Sequence, residues 1–210
     1  MKKIFTTLFI VLGFYSLSYA QQRPWQKAGT TEFGFDVGYN SAYIIQSGSG
    51  YGSDFVSGLN VGAYADHYFS NDWSLKVKVI YDQKGWGDGY INTPTYSYDN
   101  VNFRLDYITV PVMANLHFGR TRNWYFNFGP YIGFLTSAQE TNDNVDVKDN
   151  FNSVDGGLAL GVGVKIPISP KAKFFIEYDG QGGVTSVFKY SDGNYENLRE
   201  SFNVGLAFNC

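Results

Sequence analysis

The sequence predicts an all-β fold, an eight-stranded antiparallel up-and-down transmembrane β-barrel. Eight segments alternate between apolar positions and polar or glycine positions, with the period of two that β-strands have. The connections between these segments are alternately long and short. The chain is 19% aromatic and holds 24 glycines, and beyond its first twenty residues it has no stretch apolar enough for a membrane helix. Because a bilayer admits only helices or closed barrels, this combination favours a barrel.

Each predicted strand has one apolar face. In the first strand, Phe33 and Phe35 alternate with Glu32, Gly34 and Asp36. The predicted strands cover 31–39, 56–69, 73–84, 101–119, 124–136, 155–166, a segment that begins near 173, and 200–209. The many glycines on the polar faces suit a cramped barrel interior better than a solvated surface. This argument favours a membrane barrel over the alternative, a soluble lipocalin-like barrel whose apolar face points inward.

The connections give the barrel a direction. Long ones are expected at 40–55, 85–100, 137–154 and 188–199, and short ones at 70–72, 119–123 and 167–172. Short periplasmic turns and longer extracellular loops are typical of outer-membrane barrels. Trp73 and Trp124 lie beside the short turns, where an interfacial aromatic belt is expected. We therefore predict that both chain termini are periplasmic.

The N-terminal segment predicts export. Lys2 and Lys3 precede an apolar run, and small residues at 18 and 20 suit a signal peptidase. We predict a signal peptide over 1–20, a short periplasmic segment over 21–30, and the barrel over 31–210. The destination is the cell outer membrane, with its lipid as the surrounding partner.

The charge of the mature chain bears on its partners. Without the two lysines of the signal peptide, 14 basic and 19 acidic side chains remain, a net charge of −5. A nucleic-acid partner would require a basic face, so none is expected. The single cysteine, Cys210, excludes an intrachain disulfide.

The strand over 101–119 changes its pattern partway. Its apolar positions are odd-numbered up to Tyr107 and even-numbered from Val110 onward. We interpret this as a bulge at Pro111, because proline cannot donate to the strand ladder and is tolerated at bulges. The bulge predicts that Leu105 and Val112 both face lipid and that Met113 faces inward.

Three short motifs carry a family resemblance. Residues 105–112, LDYITVPV, resemble the LxYxxIPL strand of PorT-like outer-membrane β-barrel proteins, and 129–133 and 155–163 are similar to that family as well. The resemblance covers most of the chain after residue 30 and implies an outer-membrane barrel. Some PorT-like relatives assist protein secretion across the outer membrane, but the motifs themselves are structural.

The predicted inner faces carry charges of both signs, which we expect to pair across the lumen. An eight-stranded barrel is only wide enough for side chains to fill it, and buried ions need partners. A plugged core is therefore preferred to a conduit. The predicted lumen network consists of Glu32, Asp36, Asp66, Lys76, Lys78, Asp82, Arg104, Asp106, Lys165 and Glu177.

Little in the sequence indicates chemistry. His67 and His117 both fall beside short turns, so no outward-facing nucleophilic system is expected, and no catalytic residue, metal or cofactor is predicted. Acids in the loop over 137–154 could hold calcium, although their spacing matches no known calcium loop. Candidate ligand-binding residues in the loop over 85–100 are Trp86, Tyr90, Tyr96 and Tyr98, which could stack on a glycan or meet a partner protein.

The predicted function is a non-enzymatic structural or interaction role in the cell envelope, exerted through the extracellular loops. A secretion-related role is what the family resemblance implies. The alternatives are a narrow pore or transporter for small solutes and a soluble ligand-binding barrel.

Overall fold

The computed structural model describes residues 27–48, 52–92, 97–191 and 193–209, with the backbone alone for 90–92 and 97–99. The predicted signal peptide lies outside the described residues. No helix among the described residues is long and apolar enough to cross a membrane.

Eight long antiparallel strands and one short strand make up the structure. Their bounds are β1 Thr31–Gln46, β2 Val56–Tyr68, β3 Trp73–Asn92, β4 Ser97–Phe118, β5 Trp124–Glu140, β6 Val145–Asp146, β7 Val154–Pro167, β8 Ala172–Gly183 and β9 Tyr195–Asn209. A 3-10 turn over Lys148–Asn150 follows β6. Each long strand pairs with the next one along the chain, β5 pairs with β7, and β9 pairs with β1. The sheet is thereby closed into the predicted eight-stranded barrel, and β6 pairs with the last two residues of β5, beyond the segment of β5 that pairs with β7.

The two ends of the barrel differ. The turn end holds the short connections 69–72, 119–123 and 168–171, together with Lys27 and Asn209, the outermost described residues of the chain. The loop end holds the connections 47–55, 93–96, 141–153 and 184–194. These loops are shorter than predicted, because β1, β3, β4, β5 and β9 extend beyond their predicted bounds. The predicted loop over 85–100 is mostly a paired β-ribbon of β3 and β4.

The barrel is apolar outside and polar inside along most of its length. In β1, for example, Phe35 is 61% exposed, whereas Glu32 and Asp36 are buried. Side chains of this kind form a continuous apolar belt on the outer wall; its members include Phe33, Phe35, Val37, Leu59, Val61, Leu75, Val77, Val79, Phe126, Phe128, Ile132, Leu158, Leu160, Val162, Phe202 and Leu206. A soluble barrel would have the opposite arrangement.

Tyrosine rings explain two glycines of the inner face. A Cβ atom on Gly34 would lie 2.3 Å from the ring of Tyr64, and one on Gly163 would lie 2.4 Å from the ring of Tyr125. Each ring lies directly over the backbone of its register partner on the neighbouring strand, so any larger residue at either glycine would displace a tyrosine.

The predicted bulge at Pro111 is wrong. Leu105, Tyr107, Pro111 and Met113 all face the interior and are buried, and Val112 faces out at 40% exposure, so the alternation of β4 is unbroken. Only the chemistry changes along the strand. Near the loop end the inner positions are apolar and the outer ones polar; farther down the outer positions are apolar. The irregularity nearby belongs to β5, which has one extra residue, Thr136, opposite the Asp106–Tyr107 step.

Candidate functional site

A column of buried charged side chains occupies the barrel interior. It contains seven acids and six bases, so that its charges almost balance. The acids are Glu32, Asp36, Asp66, Asp82, Asp155, Glu177 and Asp179, and the bases are Lys76, Lys78, Lys84, Lys165, Lys173 and Arg199. Each member forms at least one ion pair with another member.

At the turn end the column centres on Glu32. Lys165 Nζ donates to Glu32 Oε1, Lys173 Nζ donates to Oε2 at 2.6 Å, and the hydroxyl of Tyr64 donates to Oε1 at 3.0 Å. Lys165 also lies 3.3 Å from Asp66 Oδ2. These residues come from β1, β2, β7 and β8, so a single carboxylate links strands around the ring.

In the middle of the barrel the pairs cross the lumen. Lys76 on β3 donates to Glu177 on β8 at 2.8 Å, and Asn127 donates to the same oxygen at 2.9 Å. Lys78 lies 2.9 Å from Asp36 on β1 and 3.9 Å from Glu177. These contacts connect strands that are not neighbours in the sheet.

Toward the loop end the column continues through an arginine and a lysine. Arg199 on β9 donates to Asp179, and its Nε lies 3.4 Å from Asp82 Oδ1. Lys84 donates to Asp155 at 2.8 Å, and the hydroxyl of Tyr131 donates to the same oxygen at 3.2 Å.

Five members of the column were missing from the predicted network: Lys84, Asp155, Lys173, Asp179 and Arg199. Strand parity could have identified them, because each is an even number of residues from another inward-facing position on its strand.

Two predicted members of the network do not face the lumen. Leu105 and Tyr107 point inward, so Arg104 and Asp106 lie on the outer wall. Arg104 donates to Gln139 at 2.8 Å and is 45% exposed along its side chain. The prediction assumed that the polar face is the inner one throughout, an assumption that fails where the interior becomes apolar.

Above the column, an apolar cluster crosses the barrel at the loop end. Its buried members are Ile44, Trp86, Val101, Phe103, Leu105, Tyr107, Leu135, Ala138, Val147, Phe151 and Val187. Trp86 stacks on Phe103 at a centroid distance of 4.8 Å and makes edge contacts with Phe151 and Phe188 at 5.6 and 5.4 Å. The loops over 141–153 and 184–194 thus supply part of a core like that of a soluble domain.

The predicted ligand-binding aromatics fall in different environments. Trp86 is on β3, 3% exposed, within this cluster, so it is not available to an outside ligand as predicted. Its neighbour Gly85 has φ +141°, and a Cβ there would lie 1.9 Å from the carbonyl oxygen of Phe103. The backbones of β3 and β4 therefore approach each other closely just before the position where Trp86 points into the barrel. Tyr90 and Tyr98 have their backbones on β3 and β4, and Tyr96 lies outside the described residues.

A small cavity lies between the charged levels of the column. Its volume is about 10 Å³, and its walls include Lys78, Met113, Asn127, Glu177 and Gln181. A cavity of this size accommodates about one water molecule. It is too small for a solute.

The one buried histidine does not form a catalytic triad. Ser74 Oγ lies 3.0 Å from His117 Nε2, and Asp66 Oδ2 lies 3.9 Å from the same nitrogen. A nucleophilic triad needs the acid on the other ring nitrogen, to orient the imidazole while Nε2 serves the serine. All three residues are also fully buried beside the turn end, so no substrate could reach the serine.

The acids of the β5–β7 connection serve local turns. Glu140 accepts hydrogen bonds from the backbone N–H groups of Asn142 and Asp143, and Asp146 accepts one from that of Lys148. Among the described residues, no group of three or more His, Cys, Asp or Glu side chains could hold a metal ion. Outside the column, the loop end is acidic: above the belt, the residues whose side chains the structure describes include nine acids and three bases, the bases being Arg104, Lys148 and Lys189.

Comparisons with known proteins agree with this architecture. The outer membrane protein OprG from Pseudomonas aeruginosa has a similar structure, with a TM-score of 0.53 and 11% identity over 90% of this chain and 99% of that one. The outer membrane protein AlkL, determined in DMPC bilayers, has a TM-score of 0.51 and 10% identity over 90% and 93% of the two chains. No curated protein sequence matches the chain. At such identities the likeness shows the fold alone.

The family assignment comes from the sequence itself. Residues 19–189 match the model of the outer membrane protein beta-barrel domain, a match that covers most of the chain. The closed ring of eight strands and the outward apolar belt agree with this description. The chain therefore belongs to the outer membrane protein beta-barrel domain family and lies in the outer membrane.

Proposed function

We propose that this barrel is a non-enzymatic structural or interaction protein of the cell envelope, with its loop end outside the cell and its turn end and termini in the periplasm. The observation that carries the proposal is the filled lumen. Ion pairs cross it at several levels, and the apolar cluster closes it at the loop end. Because the lumen is filled, partners can bind only to the outer surface of the protein. The acidic loop end is the part of that surface where a partner protein or a glycan would bind.

The same observation disfavours the narrow pore. An ion that entered the lumen would have to break buried ion pairs, and leaving one partner of such a pair unpaired costs about 3–5 kcal/mol. The exposed apolar belt likewise argues against the soluble ligand-binding barrel.

Conductance measurements test the filled lumen. Purified protein in planar bilayers should give no stable open channel, because the charges of the column neutralise one another in place. Lys78→Gln should not open a channel either, since the apolar cluster remains closed. Steady current from the natural protein, altered in size or ion selectivity by Lys78→Gln, would contradict the proposal and favour the pore.

A finer proposal concerns secretion. The resemblance of residues 105–112, 129–133 and 155–163 to PorT-like proteins supports a role in helping proteins cross the outer membrane. With a filled lumen, such a role would be exerted through contacts with other envelope proteins and not through passage of substrates.

The membrane-facing side of β4 gives a direct test of the lipid belt. Val112→Arg should lower the free energy of unfolding by about 2–4 kcal/mol, the cost of an arginine on the lipid face near the bilayer midplane. Met113→Gln, on the inner face beside the small cavity, should cost less. Urea titrations in lipid vesicles measure both, and a harmless Val112→Arg would mean that this face does not contact lipid.

A further inference from the structure

The outer wall carries a second apolar area above the belt, which we call the upper patch: Tyr43, Ile45, Phe55 and Leu198. Tyr43 and Phe55 pack with ring centroids 4.5 Å apart, and Tyr43 is the register partner of Leu198. Phe55 is 62% exposed. Tyr43, Ile45 and Leu198 are partly exposed. A contiguous group of large apolar side chains that reaches the surface above the lipid indicates an interaction site.

A polar level separates the upper patch from the belt. Ser41 pairs in register with Ser57 on one side and with Glu200 on the other. One step lower, Tyr39 pairs with Leu59 and Phe202, which belong to the belt. The hydroxyl of Tyr39 contacts Ser57 Oγ at 2.5 Å, so the tyrosine has its ring in the belt and its hydroxyl on the polar level, as aromatic residues do at a membrane interface.

Carboxylates surround the upper patch. Asp54 precedes Phe55 in the chain, Glu196 pairs in register with Ile45, and Glu200 is on the polar level below. Glu196 accepts a hydrogen bond from Asn194, and Glu200 accepts one from Tyr178. Within the described part of the chain, none of the three carboxylates has a lysine or arginine within ion-pair distance.

These features distinguish between possible occupants. Lipid is disfavoured, because acyl chains that covered the patch would also surround Glu200, and ionised groups in hydrocarbon are costly. A second copy is disfavoured as well, since a two-fold contact through this patch would place like charges opposite one another. A polypeptide with apolar side chains flanked by lysine or arginine satisfies both the patch and its carboxylates.

We propose that the upper patch docks a cationic amphipathic polypeptide segment of a partner protein, an assignment that rests on the proposed function in placing the loop end outside the cell. Apolar side chains of the segment would cover Phe55 and Leu198. Its lysines or arginines would pair with Asp54, Glu196 and Glu200, and they could also lie over the ring of Tyr43 or Phe55.

The test uses the full-length protein in nanodiscs of zwitterionic lipid and two labelled synthetic peptides of alternating residues, Lys/Leu and Glu/Leu. The Lys/Leu peptide should bind above the level seen with empty nanodiscs, and the Glu/Leu peptide should not. Phe55→Ser and Glu196→Gln should each weaken binding by about tenfold, an ordinary loss for a central interface residue. The control is Asp143→Asn with Asp146→Asn, which removes two charges from the β5–β7 connection and should change affinity less than about twofold.

Besides a failure of the Lys/Leu peptide to bind, three results would overturn the docking proposal. The first is equal weakening by the control pair, which would indicate attraction by net charge alone. The second concerns a spin label attached at Phe55→Cys in a Cys210→Ser background. If oxygen reaches the label but a water-soluble nickel chelate does not, as expected for a label at Phe35→Cys in lipid, the patch is covered by lipid. The third is a dimer that Phe55→Ser dissociates.

A separate measurement isolates the orientation. Protease added to intact cells should cleave the loop-end connection over 141–153. If the protease cleaves this connection but the Lys/Leu peptide does not bind, the docking proposal is wrong and the proposed orientation stands. If it does not cleave there, the proposed orientation fails first.

Discussion

Replacing Glu32 with glutamine should lower the free energy of unfolding by about 3–5 kcal/mol, the cost of leaving a buried charge without its partner. Glu32 is fully buried and is shared by Lys165, Lys173 and Tyr64. The amide is close in size to the carboxylate but carries no charge, so two lysines would lose their common counter-charge. Urea titration in lipid vesicles, followed by tryptophan fluorescence, measures the change.

Two further variants show whether the loss comes from charge. Glu200→Gln removes an acid from the outer wall, where Glu200 is exposed, and should cost less than about 1 kcal/mol. Adding Lys173→Met to Glu32→Gln should recover part of the stability, because one of the two buried lysines that share the Glu32 carboxylate is then removed. If Glu32→Gln proves neutral, or if the double variant is as unstable as the additive sum, the column does not stabilise the barrel through ion pairing.

Leu105→Ala should lower the free energy of unfolding by about 2–5 kcal/mol, the usual range for truncating a buried leucine. Leu105 is fully buried in the apolar cluster, together with Phe103 and Tyr107. Because the cluster lies inside the barrel near the loop end, the loss should be the same in vesicles of short-chain and long-chain lipid. The same urea titration measures it.

The neighbouring position is the matched control. Arg104 lies on the outer wall, half-exposed, and Arg104→Ala should change the free energy of unfolding by no more than about 0.5 kcal/mol. A neutral Leu105→Ala together with a costly Arg104→Ala would mean that the two faces of β4 have been interchanged. A loss at Leu105 that depends on lipid chain length would place it in the membrane, as the bulge at Pro111 would require.

The periodicity of the sequence was sufficient to predict the fold. Alternation with a period of two locates strands without knowledge of their partners, and the unequal connections fix an up-and-down order. The outward direction of the apolar face followed for most strands from the glycines opposite it, as the packing of Tyr64 over Gly34 illustrates. The lengths of β1 and β3 were underestimated, because near the loop end their inner positions also become apolar, as at Ala42, Ile44 and Trp86, and the contrast between the two faces is lost.

The site was predictable only in part. Parity identifies Glu32, Lys76 and Glu177 as inward-facing, but it cannot say that Lys76 meets Glu177 across the lumen, from strands that are not neighbours in the sheet. Such pairs depend on the register of every strand between them. Trp86 was misplaced for a related reason, since its partners Phe151 and Phe188 come from distant loops.

By itself the sequence of β4 determined that two faces exist and that their chemistry is exchanged near Pro111. Only the tertiary structure decided that the backbone continues regularly, with Leu105 inside the barrel and Val112 on its outer wall. The physical reason is that the solvent changes along the strand and the geometry does not. Within the bilayer an apolar side chain is best placed outward, whereas above it water surrounds the wall and the same side chain is best buried in the barrel.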